Sequence, residues 1–163
     1  MLLMSKRSDS WLALVQAVAN VEIELGRLLQ EQHGFGLSDY RALEVLSRSA
    51  NSELRMQELA AYLQLNQSSV SRMVERLERG GLTIRDLCPD DKRGVYTVLT
   101  EKGRTRLEAA RPDYEKALDE VSGKHRSSGA LSAVFNAASD LPLKFDPALS
   151  QPSTGSSAAD GEV

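Results

Sequence analysis

The stretch Arg55–Leu99 constrains the fold of this chain more than any other part of the sequence. Apolar residues recur every three or four positions in two short runs, about Arg55–Leu63 and Gln67–Arg79, which predicts two helices. The few residues between the runs predict a tight turn. The pair Gly80-Gly81 ends the second run, as glycines commonly do after a helix. The middle of the chain is therefore predicted to contain a helix, a turn and a second helix.

A β-hairpin is predicted directly after these helices. Leu82–Leu87 alternates between apolar and polar residues, and Val95–Leu99 is rich in β-branched residues, as strands commonly are. The segment between them, Pro89–Gly94, is rich in charge and in turn residues. Two short helices followed by a charged hairpin are arranged as in a winged helix-turn-helix. The predicted fold class is therefore mostly α with a small β-hairpin wing.

Long helices are predicted on both sides of this region. From about Asp9 to Gln32 apolar residues recur at helical spacing, and Leu12 and Ile23 widen the apolar arc. A helix that is apolar on more than one side in a small chain indicates a partner subunit. A second helical pattern covers about residues 101–141, with a break over residues 122–129.

Single residues indicate where these helices begin or break. Ser38 is predicted to cap a second helix, with Asp39 in the first turn, where a negative charge suits the helix dipole. Thr100 is predicted to cap the C-terminal helix, and Pro112 to kink or interrupt it. The polar segment Ser47–Ser52 is predicted to be a loop.

Composition excludes several classes of protein. The one cysteine, Cys88, cannot form an intrachain disulfide or a cysteine-based metal site. Beside Pro89 at the base of the wing, it is interpreted as a small structural residue, with an oxidant-sensing role as the alternative. No apolar run approaches the about 20 residues of a membrane-spanning helix. We expect no membrane association and a cytoplasmic location.

No group of residues predicts catalysis or a cofactor. His33 and His125 are isolated, without other ligands at metal-binding spacing. Gly34 and Gly36 lack the third glycine and the preceding strand of a dinucleotide-binding motif, and neither a nucleophile elbow nor a phosphate-binding loop is found. The chain is therefore predicted not to be an enzyme, and no cofactor or metal is expected.

The predicted helix Gln67–Arg79 has one apolar and one polar face. Its first turn and outer face contain small polar residues and an arginine: Gln67, Ser68, Ser69, Ser71 and Arg72. Small polar residues at a helix N-terminus allow close approach to phosphates and base edges. The side chain of Arg72 is long enough for a bidentate contact with a guanine edge. A solvated surface helix would explain this pattern equally well if the helix stood alone.

The predicted wing supplies a second feature of this kind. Arg93 at the hairpin tip could enter a narrow minor groove, and Asp91 could pair with a nearby arginine and hold the tip in place. A solvated turn is the simpler interpretation of these residues alone. The two features in this order and at this spacing favour DNA binding.

Several segments together resemble the MarR family of transcriptional regulators: Leu59–Leu65, Ser68–Glu78, Gly81-Leu82, Asp91–Gly94 and Leu99–Gly103. The most specific piece is the Asp-x-Arg-Gly wing followed six residues later by Thr-x-x-Gly. The resemblance covers about residues 10–141. It implies a homodimer built by the N- and C-terminal helices. It also implies a recognition helix in the major groove and a wing arginine in the minor groove.

The resemblance also implies which residues meet DNA. By position, Gln67, Ser68, Ser69, Ser71 and Arg72 would contact bases or phosphates, and Arg93 would be the wing arginine, oriented by Asp91. Charge and location, rather than the motif, suggest three further phosphate contacts, namely Arg76, Arg85 and Lys92.

These expectations divide the chain into a flexible N-terminus over residues 1–8, a MarR-like domain over residues 9–145 and a disordered acidic tail over residues 146–163. Within the domain, the winged helix-turn-helix is expected at about 37–99. The dimerisation helices are expected at about 9–32 and 101–141. The tail is rich in Ser, Pro, Gly and Ala, which cannot bury enough apolar surface to offset the entropy of ordering. Its acidic residues carry the net charge of −3, so the rest of the chain is balanced and does not coat nucleic acid by charge alone.

The predicted function is sequence-specific binding of double-stranded DNA, most simply as a homodimeric repressor on a pseudo-palindromic operator. Family members often bind a small aromatic or phenolic effector between the dimer helices and the DNA-binding lobe. Trp11, His33 and Tyr40 are candidates for such a crevice, with a core or rim role as the competing interpretation. The alternative function is a helical dimeric protein–protein interaction module that has lost DNA binding.

Overall fold

The computed structural model of the protein describes residues 5–87, 95–125 and 136–138. Its elements, in chain order, are α1 (Lys6–His33), α2 (Leu37–Arg48), a 3₁₀ turn (Ala50–Ser52), β1 (Glu53–Arg55), α3 (Met56–Leu63), α4 (Gln67–Arg79), β2 (Thr83–Leu87), β3 (Val95–Leu99) and α5 (Glu101–His125). Helices α3 and α4 and the β2–β3 hairpin occur where the sequence predicted them. No helix in the described ranges is long and apolar enough to cross a membrane.

Helix α1 begins earlier than its apolar pattern. It starts at Lys6, and the hydroxyl of Ser5 accepts a hydrogen bond from the Ser8 amide as an N-cap. Ser5–Ser8 therefore form the start of α1, within residues 1–8, for which a flexible N-terminus was predicted. The polar cap, which apolar periodicity does not reveal, extends the helix by a turn. Gly34 ends α1 with a left-handed φ of 73°, as the glycine there predicted.

Helix α2 is capped differently from the prediction. Its N-cap is Gly36, and the predicted cap Ser38 lies inside the first turn. The Asp39 carboxylate, three residues after Gly36, reaches back and accepts a hydrogen bond from the Gly36 amide at 3.1 Å. Asp39 was expected in the first turn. It is the residue that satisfies the helix end, so no side chain is needed at the cap itself.

A third strand joins the predicted hairpin. The sheet is antiparallel with the order β1-β3-β2, and Glu53 and Arg55 of β1 pair with Val98 and Tyr96 of β3. The prediction of a loop over Ser47–Ser52 was wrong at its start, since α2 includes Ser47 and Arg48, and it missed the strand that follows. Three residues with a charge at each end are too few to show strand periodicity.

One main core connects the winged helix-turn-helix to the start of α5. Its fully buried side chains come from all the surrounding elements and include Leu29, Leu43, Leu46, Leu54, Leu59, Met73, Leu77 and Leu107. Burial of each such side chain contributes about 1.5–3 kcal/mol. A smaller cluster of Val21, Leu25, Ala117 and Val121 forms where α1 packs against α5. The two long helices are thus joined to each other and to the central lobe.

Helix α5 begins at the predicted cap. The Thr100 hydroxyl accepts from the Gly103 amide at 3.0 Å and donates to the Gly81 carbonyl at 2.7 Å. Pro112 was predicted to kink or interrupt this helix; it lies inside α5 without ending it, so the interruption was wrong. Packing against α1 compensates for the one backbone hydrogen bond that a proline removes. Residues 136–138 are helical, as predicted. The remainder of the predicted last helix and the tail lie outside the described residues.

Candidate nucleic-acid interface

Helix α4 packs on the core by one face and exposes the other. Val70, Met73, Val74 and Leu77 are buried, at the positions that helical periodicity predicted. The opposite side carries the polar side chains assigned above to DNA. A helix with one such face can lie on the lobe and still offer a polar surface to a partner.

Asn66, which was predicted only as part of a turn, organises the N-terminus of α4. Its Oδ1 accepts from the Ser69 amide and from the Ser68 hydroxyl, both at 2.9 Å. The amides of Gln67 and Ser68 precede the first intrahelical hydrogen bond and point out of the helix end. An asparagine just before an apolar helical run is a recognisable N-cap, so this signal was present in the sequence.

The five predicted contacts at the start of α4 differ in exposure. Gln67, Ser68 and Arg72 are exposed, whereas Ser69 and Ser71 are half-buried. Arg72 makes no hydrogen bond or ion pair with the residues that the structure describes. Its guanidinium is therefore a donor group on this face that has no partner among the described residues.

Arg76, predicted as a phosphate contact, is held by α2. Its Nη2 lies 2.6 Å from Asp39 Oδ1, and its Nε lies 3.2 and 3.1 Å from the two carboxylate oxygens. Asp39 is only 3% exposed. The hydrogen bond that Arg76 donates to Asp39 raises the pKa of Arg76 above its usual value, so the guanidinium stays charged.

Arg85, also predicted as a phosphate contact, is paired in a similar way. Its Nε donates to Glu78 Oε1 at 2.7 Å, which links β2 to the last turn of α4. The wing residues Asp91, Lys92 and Arg93 lie outside the described residues. The strands that carry them are described, and their last pair is Leu87 with Val95. Strand β2 of this hairpin lies against α4.

The three candidate effector residues do not form one crevice. Tyr40 stacks on Tyr114 at a centroid distance of 4.3 Å and lines a cavity of about 710 Å³ between α2, α3 and α5. His33 Nε2 lies 2.8 Å from Asp113 Oδ2, and Trp11 lies on α1 with 64% exposure; neither lines that cavity. Burial, and next the charge of Glu44, raise the pKa of Tyr40 above its usual value. Within the described ranges no three metal-ligating side chains cluster.

Comparisons with known proteins agree with this geometry. The model of the MarR family matches residues 33–94. The uncharacterised HTH-type transcriptional regulator YkoM of Bacillus subtilis (strain 168) is 34% identical over 82 residues, which are 50% of this chain and 52% of that protein. This chain spans about half the length of the curated relatives it matches.

Two solved structures are similar over most of the chain. Sco3205, a MarR family transcriptional regulator from Streptomyces coelicolor solved in complex with DNA, is 29% identical with a TM-score of 0.71, over 94% of this chain and 92% of that one. AbsC, a MarR family regulator from the same organism, is 25% identical with a TM-score of 0.72, over 85% and 93%. Fold and interface define a winged helix-turn-helix protein. Residues 33–94 match the model of the MarR family, and the fold is similar to that of MarR family regulators of known structure.

Proposed function

We propose that this protein is a sequence-specific DNA-binding transcriptional regulator that binds a pseudo-palindromic operator as a homodimer and represses by occupying it. The observation that carries the proposal is the exposed, arginine-bearing face of α4 with its capped N-terminus. The likeness to Sco3205, which was solved in complex with DNA, supports it. The mechanism is steric and electrostatic, without a catalytic step, and it operates in the cytoplasm, where the operator would lie.

The N-terminal turn of α4 would enter the major groove. The amides of Gln67 and Ser68 suit a phosphate oxygen, because the helix dipole is positive there. Arg72, one turn further along the helix, would recognise a guanine by a bidentate hydrogen bond. The half-buried hydroxyls of Ser69 and Ser71 are closer to the helix surface and so would meet only groups that approach it tightly.

The wing would bind beside α4. Arg93 is proposed to enter the minor groove, with Asp91 orienting it and Lys92 on a neighbouring phosphate. Arg93→Ala should weaken binding and lower the slope of log affinity against log salt by about one unit, because one phosphate charge would no longer be neutralised by the protein. An unchanged slope would show that Arg93 does not bind a phosphate.

The exposed apolar side of α1 supports a homodimer. Five large apolar residues of this helix are well exposed in the single chain: Trp11, Leu12, Val15, Val18 and Ile23. Contiguous apolar exposure of this kind is typical of a protein interface. Two subunits joined there would present two copies of α4 to half-sites about one helical turn apart.

The cavity beside Tyr40 supports a small aromatic or phenolic effector. The stacked rings of Tyr40 and Tyr114 offer a flat apolar surface, and Arg41 and Arg111 line the same cavity. The cavity lies between α5, a proposed dimer helix, and α2 and α3 of the DNA-binding lobe. A ligand there would bind one arrangement of these helices better than another and so change the spacing of the two α4 helices.

Selection from a randomised duplex library would test the proposed function. Fluorescence anisotropy would then compare the selected sequence with a scrambled duplex over a salt series. We expect a pseudo-palindromic selected sequence, tight binding that weakens steeply with salt, and much weaker binding to the scrambled duplex. Equal, weak binding to both duplexes would contradict the proposal and favour the protein–protein interaction module.

A further inference from the structure

The contact between Asp39 and Arg76 joins α2 to α4 through two residues that are 37 positions apart in the chain. Asp39 lies in the first turn of α2, and Arg76 lies on α4, one turn after Arg72. Three donor–acceptor contacts of 2.6–3.2 Å connect the guanidinium to both carboxylate oxygens. Residues four apart on a helix share a face, so Arg76 is on the same side as the proposed base-reading arginine.

We propose that Arg76 is a positioning residue and not a DNA contact, and that Asp39 and Arg76 together set the orientation in which α4 presents its first turn to DNA. The inference rests on the proposed function, because it assigns the pair to the geometry of operator binding. Neither residue touches a base in this assignment. Asp39, a residue for which the sequence pattern indicated no more than a favourable helix-end charge, becomes part of the DNA-binding machinery.

Burial of the carboxylate makes this contact restrictive. Asp39 is 3% exposed, and its charge is compensated by Arg76 and by the amide of Gly36, which donates to Oδ2 at 3.1 Å. A rotation of α4 that withdrew the guanidinium would leave a buried charge with only one partner, which is costly. The bidentate contact of the guanidinium also fixes the orientation of Arg76 relative to Asp39, which a single hydrogen bond does not.

Arg76 is thereby unavailable to a phosphate on its bonded side. Its side chain is 52% exposed, so exposure alone would still allow a DNA contact. The Nε and Nη2 donors, however, already point at Asp39. A phosphate would have to compete with Asp39 for the guanidinium. The buried Asp39 carboxylate has no other charged partner among the described residues. The charge of Arg76 is largely neutralised by Asp39 before DNA arrives.

The pair also lies where the long helices meet the lobe. Asp39 follows the turn between α1 and α2, and Arg106 of α5 donates to the carbonyl of His33 at the end of α1. Asp39, Arg76 and Arg106 line one cavity of about 370 Å³. The orientation of α4 is therefore tied to the junction of α1, α2 and α5. A movement of the long helices would reach α4 through this contact.

The variant Asp39→Asn distinguishes a positioning role of Asp39 from a purely electrostatic one. It removes a negative charge near the DNA-binding face, so a purely electrostatic role predicts equal or tighter binding to every duplex. Positioning predicts the opposite for the selected operator: about tenfold weaker binding, with affinity for the scrambled duplex unchanged or increased. Operator affinity equal to or above that of the wild type would overturn the proposal.

Arg76→Lys supplies a second variant that keeps the positive charge. Lysine cannot reproduce the two-armed contact, so we expect the same loss of operator affinity with an unchanged salt slope. The matched control is Arg79→Lys, at an exposed arginine three residues further along α4 that has no ion pair among the described residues. Full operator affinity for Arg76→Lys would identify a phosphate contact instead. A salt slope that is lower in Arg76→Ala but unchanged in Arg76→Lys would do the same.

Amide hydrogen exchange tests the pair without DNA. Asp39→Asn and Arg76→Lys should each accelerate exchange in residues 67–79 by about tenfold, while β2 and β3 keep their wild-type rates, and the double variant should add little more. Unchanged exchange in α4 would overturn the proposal even if no operator were found. Failure of the wild type to select any duplex would contradict the proposed function, and the exchange result would still decide whether the pair holds α4.

Discussion

At the residue scale, the arginines around α4 differ in what holds them. Arg76 and Arg85 are bound to acidic partners, whereas Arg72 makes no polar contact with the described residues. The three have the same charge and occur within one short stretch of sequence, so composition does not distinguish them. Their contacts divide them into two arginines that are paired with acidic side chains and one whose guanidinium has no polar partner among the described residues.

Arg72→Ala should weaken operator binding without changing the stability of the protein. An exposed side chain with no described polar partner contributes little to folding, whereas a two-armed base contact contributes about 1–3 kcal/mol of discrimination. Anisotropy titrations should show at least tenfold weaker operator affinity, and thermal unfolding should be unchanged. The control is Arg27→Ala, which removes an arginine from the exposed i,i+4 pair on α1. Equal losses in both variants would show that only total charge matters.

Tyr40 should make the protein sensitive to alkaline pH. Burial raises the pKa of Tyr40 above its ordinary 10.0, so the folded state favours the neutral phenol. Its contribution to stability is fully present below that ordinary value and is lost as the pH rises through the folded pKa. Above about pH 10, the free energy of unfolding should fall by up to about 1.4 kcal/mol per pH unit from this residue. Urea denaturation of Tyr40→Phe, which keeps the stacked ring, should show a shallower fall; identical pH dependence would contradict the assignment.

At the element scale, the junction of α4, β2 and α5 explains why the wing motif is followed by Thr-x-x-Gly. Thr100 caps α5 and donates to the Gly81 carbonyl. Gly103 lies against the backbone of Leu82: a Cβ there would be 2.1 Å from the Leu82 oxygen. The motif thus describes a close contact between the start of α5 and the turn after α4, which fixes the base of the hairpin.

Gly103→Ala should destabilise the protein by about 3 kcal/mol, since neither the Leu82 backbone nor the Leu99 side chain at 2.8 Å has room to move freely. Chemical denaturation monitored by circular dichroism would measure the change. Gly123→Ala on the same helix is the matched control, because nothing lies within 4 Å of its added methyl group. That variant should gain about 0.5–1 kcal/mol from helix propensity. A stable Gly103→Ala would mean that α5 does not pack so closely on Leu82.

At the scale of the whole molecule, the described part of the chain leaves an apolar surface of α1 uncovered. Trp11, Val15 and Val18 of α1 remain exposed although the rest of that helix packs against α5. Ile23, on the same helix, is 68% exposed. Within the described residues, the lobe that carries α4 has a buried core, whereas this end of the long helices exposes its apolar side chains. In the proposed homodimer, the quaternary structure, rather than the lobe, would therefore set the distance between two α4 helices.

Val15→Asp should shift the protein towards the monomer. A charge placed in an apolar interface must be desolvated on association, so the dimer dissociation constant should rise by at least about tenfold. Sedimentation velocity over a concentration series would measure it, with the neighbouring exposed position in Gln16→Asp as the control. A wild type that is monomeric at every concentration would contradict the proposed dimer. In Val15→Asp, operator affinity should fall with the dimer fraction, because one subunit reads only a half-site.

Periodicity in the sequence was sufficient to predict most elements but few of their contacts. Patterns within segments of about ten residues were sufficient to predict the helices α3 and α4, the strands β2 and β3 and the Thr100 cap. The strand β1 was missed because it exists only by pairing with β3. The N-cap of α2 was misassigned because Asp39 satisfies Gly36 from three residues away. The exposed members of the candidate site, Gln67, Ser68 and Arg72, were found from the polar face of one helix.

The sequence by itself determined the order of elements, the inward face of α4 and the resemblance to the MarR family, since helix periodicity, caps and the wing motif are properties of neighbouring residues. Only the tertiary structure decided which arginines are available. Arg76 meets Asp39 across 37 residues, and Arg85 meets Glu78 across a turn. Ion pairs depend on distance in space, and folding brings together charges whose separation along the chain contains no information about that distance.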